Sequence, residues 1–458
     1  MNKINTAIIF FVLLTSVRTF AQEEMSVDII NDKMSVMLEE SEWYKMIPYG
    51  ERALGLGYDF FFLRARLGIA YFETGNYFKA ITNLERALEI GYDNPTVLED
   101  LYYCYLYTGR EDDRNFIFKK LPKNKRKRLK PLENPLVDNL HSEIATGISN
   151  DLDKNGDADL DGKENFYGEQ TLSGNEFYFN LGLNQLPVNF LNVNYDFTYF
   201  KIKNTKQLMF NNELISDEYP EYQSRFYNSY NVRIAPGFII SPAGQYIGTK
   251  YSTLFADYDS TVYLSKDSSR YIYSLSEQEK LFNSFILSLD ISKYITRFKF
   301  GLNGSFSYLN DIHQYQYGLS FKVFPFSKPN FYSYTNVIIH NQNDIANLIV
   351  DQSFSGNLKN KFFYEIFATF GKMSNYNEHN GFRVYNTDII NYKLGFETQY
   401  FFTSNFCAKL IYSYQSRERN YLTNDPVFTS GKLSYYSHQE QQLNYQVNNF
   451  LFGLNYSF

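Results

Sequence analysis

"NNFLFGLNYSF", Asn448 to Phe458, ends the chain, and its reading decides how most of the sequence folds. Phe450, Phe452, Leu454, Tyr456 and Phe458 fall on every second residue, so an extended backbone places all five on one face. The same period recurs far upstream. "EFYFNLGLN" (Glu176 to Asn184) sets Phe177, Phe179, Leu181 and Leu183 against Tyr178, Asn180, Gly182 and Asn184. "NVNYDFTY" (Asn192 to Tyr199), "RFKFGLNGSFSY" (Arg297 to Tyr308) and "YKLGFETQY" (Tyr392 to Tyr400) alternate likewise.

A soluble β-sandwich would also alternate. It would not need so many long strands with lysine, arginine and glutamate on the second face. The 458 residues include 42 Tyr and 43 Phe but one Trp, 19% aromatic in all. Mean hydropathy is nonetheless −0.40. Segments of about ten residues, apolar on one face, polar on the other and aromatic at their ends, are the pattern of a transmembrane β-barrel. The terminal stretch resembles the last strand of bacterial outer-membrane proteins. That resemblance implies that Phe450, Phe452, Leu454, Tyr456 and Phe458 form a signal for the barrel insertion machinery.

Short turns are expected at "NQLPVN", "SPAG", "SKYITR", "FSKPN", "NLKNK" and "FTSN". Longer polar loops are expected at 151–168, 203–223, 259–279, 309–312, 342–346, 374–384 and 420–438. Seven long loops and six short turns make 14 strands, with 12 and 16 as the alternatives. Both barrel ends then lie on the side of the short turns, the periplasmic side of such barrels.

The first third has another period. "ERALGLGYD" (Glu51 to Asp59) returns as "ERALEIGYD" (Glu85 to Asp93) at an offset of 34. In the copy from Phe61 to Asn94, Leu67, Gly68 and Tyr71 face inward on a first helix, Gly75 makes the turn, and Ala80, Leu84 and Ala87 pack on a second. Weaker copies start near Val27 and at Pro95. This spacing resembles tetratricopeptide repeats, whose helix pairs present a concave groove to a partner. A role as spacer or oligomerisation module is the plain alternative.

Residues 1–21 read as a secretory signal: Lys3, the apolar run Ala7 to Thr15, and small residues before Gln22. Its removal takes away Lys3 and Arg18 and moves the net charge from −6 to −8. The expected layout is therefore a signal peptide (1–21), a periplasmic helical repeat domain (22–121), a basic linker (122–139) and an outer-membrane barrel (140–458). The fold class is α plus transmembrane β, a tetratricopeptide solenoid followed by an antiparallel barrel. "PKNKRKRLKP" (Pro122 to Pro131) is either a solvated linker or a basic collar on anionic headgroups.

Little chemistry is legible. "DLDKNGDADLDGKE" (Asp151 to Glu164) has carboxylates at calcium-loop spacing, but Gly162 stands where an EF-hand needs a bidentate Glu. It reads as a solvated loop or a weak calcium site. Cys104 and Cys407 are not expected to pair. The five histidines have no metal spacing, although His313, His379 and His438 fall near predicted outer loops. No cofactor, metal site, nucleic-acid partner or enzymatic activity is expected. Arg297, Lys299, Lys322, Lys393, Glu397, Lys409, Arg417 and Arg419 fall on polar-face positions and are the expected lumen residues. They either line a channel, whose excess of cations would favour anionic or polar cargo, or plug the barrel with salt bridges.

The architecture resembles two families over its full length, the surface lipoprotein assembly modifiers and the poly-N-acetylglucosamine type of polysaccharide export porin. The resemblance implies export of a protein or polysaccharide client, with outer-membrane lipid and a periplasmic protein as partners. The alternatives are a closed barrel that anchors a periplasmic docking module, and an enzyme working at the outer rim.

Overall fold

Period and propensity separate the two kinds of structure along the chain. A computed structural model describes residues 25–129, 137–156, 167–210, 213–265, 268–309, 311–326, 330–358, 361–378, 388–429 and 432–458. The expected signal segment lies outside them. The chain forms two units, Met1–Val97 and Leu98–Phe458.

In the first unit, α1 (Val27–Glu39) and α2 (Trp43–Gly55) form one helical hairpin, and α3 (Phe61–Glu73) and α4 (Tyr77–Ile90) form the next. Both helices of the second pair start 34 residues after their counterparts in the first, the period of the sequence repeat. Leu67, Ala80, Leu84 and Ala87 are wholly buried, and Tyr71 nearly so. A Cβ on Gly68 would sit 2.6 Å from the Leu84 side chain, so only glycine lets α3 approach α4 this closely. Gly75 turns the chain at φ +75°, a conformation glycine adopts without steric cost. Asn76 then caps α4 by accepting from the Lys79 amide. Tyr71 donates to Glu51, and Lys79 reaches Glu51 at 2.9 Å, which ties α2, α3 and α4 together.

The second unit opens with helices. Apart from its first turn, α5 (Pro95–Thr108) belongs to it, followed by α6 (Glu111–Lys120) and α7 (Lys123–Leu129). The start points of α5 and α6 keep the 34-residue step, yet they group with the strands that follow and not with the earlier pairs. The stretch expected as a basic linker is thus helical over α7, and Lys125 and Arg128 both pair with Glu99 of α5.

Fourteen strands close an antiparallel barrel. They are β1 (Asn139–Ser149), β3 (Glu176–Val188), β4 (Leu191–Phe210), β5 (Glu213–Ala235), β6 (Phe238–Ser265), β7 (Ser268–Ile295), β8 (Phe298–Leu309), β9 (Ile312–Val323), β10 (Tyr332–Gln342), β11 (Ile345–Leu358), β12 (Phe362–Met373), β13 (Ile389–Phe401), β14 (Phe406–Thr429) and β15 (Lys432–Ser457). β1 completes the circle, pairing with β15 from Asn139↔Ser457 and with β3 from Asn139↔Asn184. Each of the fourteen strands has a neighbour on both sides, which is what lets a sheet sit in a medium that offers no hydrogen bonds. Between β1 and β3 in sequence lie α8 (Asp151–Asn155) and a short fifteenth strand, β2 (Tyr167–Leu172), which bridges β4 and β14.

Alternation decides which face is which. Phe177, Phe179 and Leu181 are exposed while Tyr178 and Asn180 are buried. On β15, Phe450, Phe452, Leu454 and Tyr456 all point outward. Phe458 ends the strand, its amide donating to the Asp138 carbonyl. Among the described residues no helix is long and apolar enough to cross a membrane; the strands provide the apolar exterior.

Two expectations fail for clear reasons. "SPAG" (Ser241 to Gly244) is not a turn. The reversal comes earlier, at Pro236–Gly237, where Gly237 has φ +66°. Pro242 is tolerated inside β6 because the ladder to β5 lapses between the Ser229–Ala243 and Val232–Ile240 pairs, so its missing N–H costs no bond there. The stretches 203–223, 259–279 and 420–438 are mostly paired strand, not loop: β4–β5, β6–β7 and β14–β15 continue well past the apolar belt. Polar composition there marks where lipid ends, not where pairing ends. At the same end, Asn343 and Asp344, both at positive φ, make a tight turn between β10 and β11.

Candidate functional site

The inward face of the barrel is polar, and it is not packed solid. Near the short-turn end, a cavity of about 420 Å³ is lined by Lys299, Lys322, Asp290, Asp351, Glu365 and Asp112, with Tyr332 and Tyr334 beside them. A second, of about 550 Å³, is bordered by His141, Glu143, Glu176, Asp196, Lys393 and Lys409, and has an apolar wall of Tyr178, Phe200, Ile411 and Leu451. Glu397 and Lys393 border a smaller space of about 170 Å³.

Of the expected lumen residues, Lys299, Lys322, Lys393, Glu397 and Lys409 therefore line inner cavities. Arg417 and Arg419 are buried further along β14. Arg297 is not among them. It is exposed in the β7–β8 turn, its guanidinium 5.3 Å from the Phe298 ring. Thr296 at φ +48° breaks the phase of the alternation one residue before it.

The expected excess of positive charge is also corrected. Each cavity carries more carboxylates than lysines, because alternate positions on β1, β3, β4, β7, β11 and β12 bring acids inward. Lys409 pairs with Glu143, Lys393 with Glu378 at 2.9 Å, and Arg417 with Glu176 at 2.6 Å. Lys409 and Arg417 are thus matched by acids that the same alternation contained, and Lys393 by an acid beyond the end of β12.

At each end of the interior a helix is held against the barrel through one buried aspartate. At the short-turn end, α6 docks onto the β5–β6 turn. Asp113, 1% exposed, accepts from Arg233 Nε at 2.5 Å and from the Gly237 amide at 3.1 Å. Arg110 on the preceding turn adds contacts at 2.7 and 2.8 Å. The Arg233 guanidinium lies 4.0 Å from the Phe116 ring, and that of Arg110 lies 5.3 Å from Tyr294 on β7. Asp112, next along α6, faces the smaller of the two large cavities. Burial, with Glu111 beside it, pushes its carboxyl up to about 7.

At the other end, Asp151 at the start of α8 is fully buried. It accepts from Arg419 Nε at 2.9 Å, the Ser173 amide at 2.8 Å and the Asn155 side chain at 2.7 Å. Gln170 of β2 bridges Arg419 and Gln207. β2 itself pairs with β4 (Tyr167↔Phe210 to Leu172↔Thr205) and with β14 (Leu422↔Glu169 to Asn424↔Tyr167).

Asp151 therefore spends its carboxylate on the protein, while most of the expected calcium loop lies outside the described residues. Among the described residues, no group of His, Cys, Asp and Glu could hold a metal ion. His141 and Asp196 form a hydrogen-bonded pair at 2.8 Å, but inside the barrel near the short turns and not at the opposite rim. A Cβ on Gly182 would collide with this imidazole at 2.2 Å, so glycine is what admits it. His313 is exposed against Phe306 and Tyr308. His379 and the side chain of His438 lie outside the described residues. Cys104 and Cys407 are buried and unpaired with one another.

No family model matches the chain, and no curated protein matches it. Among solved structures, a Pseudomonas aeruginosa FadL homologue aligns with 71% of this chain and 93% of its own at 7% identity and a TM-score of 0.43. A deltaS2 mutant of the TodX monoaromatic hydrocarbon channel aligns over 71% and 91% at 6% identity and 0.44. A bacterial polysaccharide outer membrane secretin aligns over 71% and 100% at 11% identity and 0.34. At TM-scores below 0.5 these likenesses say nothing about what this barrel carries.

Proposed function

We propose that the chain is a transport barrel of the Gram-negative outer membrane, and that its N-terminal helices are a periplasmic docking domain of the tetratricopeptide type. It moves a polar client, a protein segment or polysaccharide, outward without chemical change, so no enzymatic role is assigned. The observation that carries this reading is the interior: polar inward faces around cavities of about 420 and 550 Å³ inside a wall whose outer face is apolar. A barrel used only as an anchor has no need of space there, since filled, well-packed interiors are the more stable. The short turns of such barrels belong on the periplasmic side, which supports a periplasmic start for β1 and for the helices before it. The aromatic face of β15 supports recognition by the insertion machinery.

The ion pairs that cross the interior, Lys409–Glu143, Arg417–Glu176 and Arg419–Asp151, favour a second reading, a closed anchor for a periplasmic complex. Conductance in planar bilayers separates the two. The full chain is expected to be nearly silent, and the double variant Asp113→Ala/Asp151→Ala, which loosens both closures, to conduct steadily. A folded double variant with no conductance would leave the anchor as the reading to keep.

A further inference from the structure

The contact between α6 and the β5–β6 turn has the form of a ligand in its site. Arg233 Nε and the Gly237 N–H converge on one carboxylate, and Gly237 supplies its N–H to both carboxylate oxygens at 3.1 Å. A guanidinium beside a backbone N–H in a tight turn is a carboxylate receptor by its chemistry, because each donor is fixed before the anion arrives. Gly237 must be glycine for this. Its φ is +66°, and a Cβ would stand 3.0 Å from both the Arg110 guanidinium and the Tyr294 side chain. Beyond the turn the lining continues with Lys299 and Lys322. The occupant, α6, has three acids in its first turn, Glu111, Asp112 and Asp113. It is held to the barrel by side chains and one turn amide, with no strand of its own in the sheet.

Resting on the transport reading above, we infer that the β5–β6 turn is a binding site for an acidic peptide segment, that α6 fills it in cis as a plug, and that an acidic segment arriving in trans displaces α6 and opens the short-turn end. The ligand class follows from the cis occupant: a carboxylate on a short helical or extended segment, with an aromatic side chain such as Phe116 one helical turn along to lie against Arg233. The α8 end is a different matter. Its closing residues are woven into the wall through β2, so it is not the end that this ligand opens.

Thiol labelling tests the inference on the full chain. Ser292 lines the cavity that α6 covers and is 3% exposed. In a Cys104→Ser/Cys407→Ser background, Ser292→Cys is reacted with a membrane-impermeant maleimide. Adding Asp113→Ala is expected to raise the labelling rate at least tenfold. A synthetic peptide of residues 110–120, added to the chain with α6 intact, is expected to raise it several-fold. It is needed at millimolar concentration, because it competes with a tethered copy of effective concentration on the order of millimolar. The same peptide with Asp113→Asn is expected to do little. Should the Asp113→Ala chain fail to fold, judged by loss of its compact band on an unheated gel, the peptide experiment still decides. No acceleration by the variant or the peptide overturns the inference. Faster labelling together with no conductance in the folded Asp113→Ala/Asp151→Ala chain would sink the transport reading and keep the site. Conductance with unchanged labelling would do the reverse.

Discussion

Asp113 and Asp151 solve one problem twice. Each is buried at the start of a helix docked at an end of the barrel, and each accepts from the Nε of a strand arginine and from a backbone amide. What differs is the backbone around them. α8 is followed by β2, whose register with β4 and β14 stitches it into the wall. α6 has no such ladder, and its partners lie 120 and 124 residues away in sequence. The comparison teaches that a buried ion pair does not by itself say whether a closure is permanent. Removing one partner of such a pair costs about 3–5 kcal/mol in either place. The ladder decides how much structure goes with it.

The largest effect should therefore come from Asp113→Ala. It leaves Arg110 and Arg233 facing each other without their anion, and removes the buried charged contact that ties α6 to the β5–β6 turn. Hydrogen exchange of amides 111–120 should accelerate by about a hundredfold or more, the equivalent of roughly 3 kcal/mol, while the strands stay protected. Equal protection in variant and parent would show that α6 is held by something other than this carboxylate. Arg419→Ala makes the matching cut at the other end. Here the loss should stay local, with α8 amides exchanging faster and β2 amides changing by less than about tenfold, or 1.4 kcal/mol. Full release of β2 would erase the distinction between the two ends.

The sequence shows the wall of this barrel far better than its ends. Phe177 and Tyr178, or Phe452 and Gly453, carry their placement in a period of two that any extended chain must obey. Arg417 and Lys409 were legible for the same reason, and Arg297 was misread by carrying the phase one residue past a turn. The interior acids Glu143, Glu176 and Asp196 obeyed the same period but stood less apart from it than lysines among tyrosines do. Nothing local distinguishes the plug. "EDDRNFIFKK" (Glu111 to Lys120) is what any helix wants, acids in its first turn and lysines in its last. That Asp113 meets Arg233 is a fact of the closed sheet, unreadable until β5 and β6 have a common turn. The strand extensions were missed because their polar residues pair as well as apolar ones do once the ring beneath them is formed.

The last test sharpens the comparison by pH. Asp112 sits on the plug itself and faces the cavity behind it. Burial holds its carboxyl at about 7 when docked, above the 3.8 of an ordinary aspartate, with Glu111 and Asp113 raising it and Lys299 and Arg114 opposing them. The docked state thus binds the proton more tightly than the released one. Stability of docking from this group is complete below about pH 4. It is lost progressively as pH rises to about 7, and nothing more changes above that. Labelling of Ser292→Cys, corrected for the thiolate fraction with an exposed cysteine, should therefore quicken from pH 5 to pH 7.5. Asp112→Asn should flatten the profile and hold it at the slow, low-pH level, because a neutral side chain at that position imitates the protonated acid. A profile that persists unchanged in Asp112→Asn would assign the pH dependence to another group. One that rises toward acid pH would reverse the sign and remove Asp112 from the account of the plug.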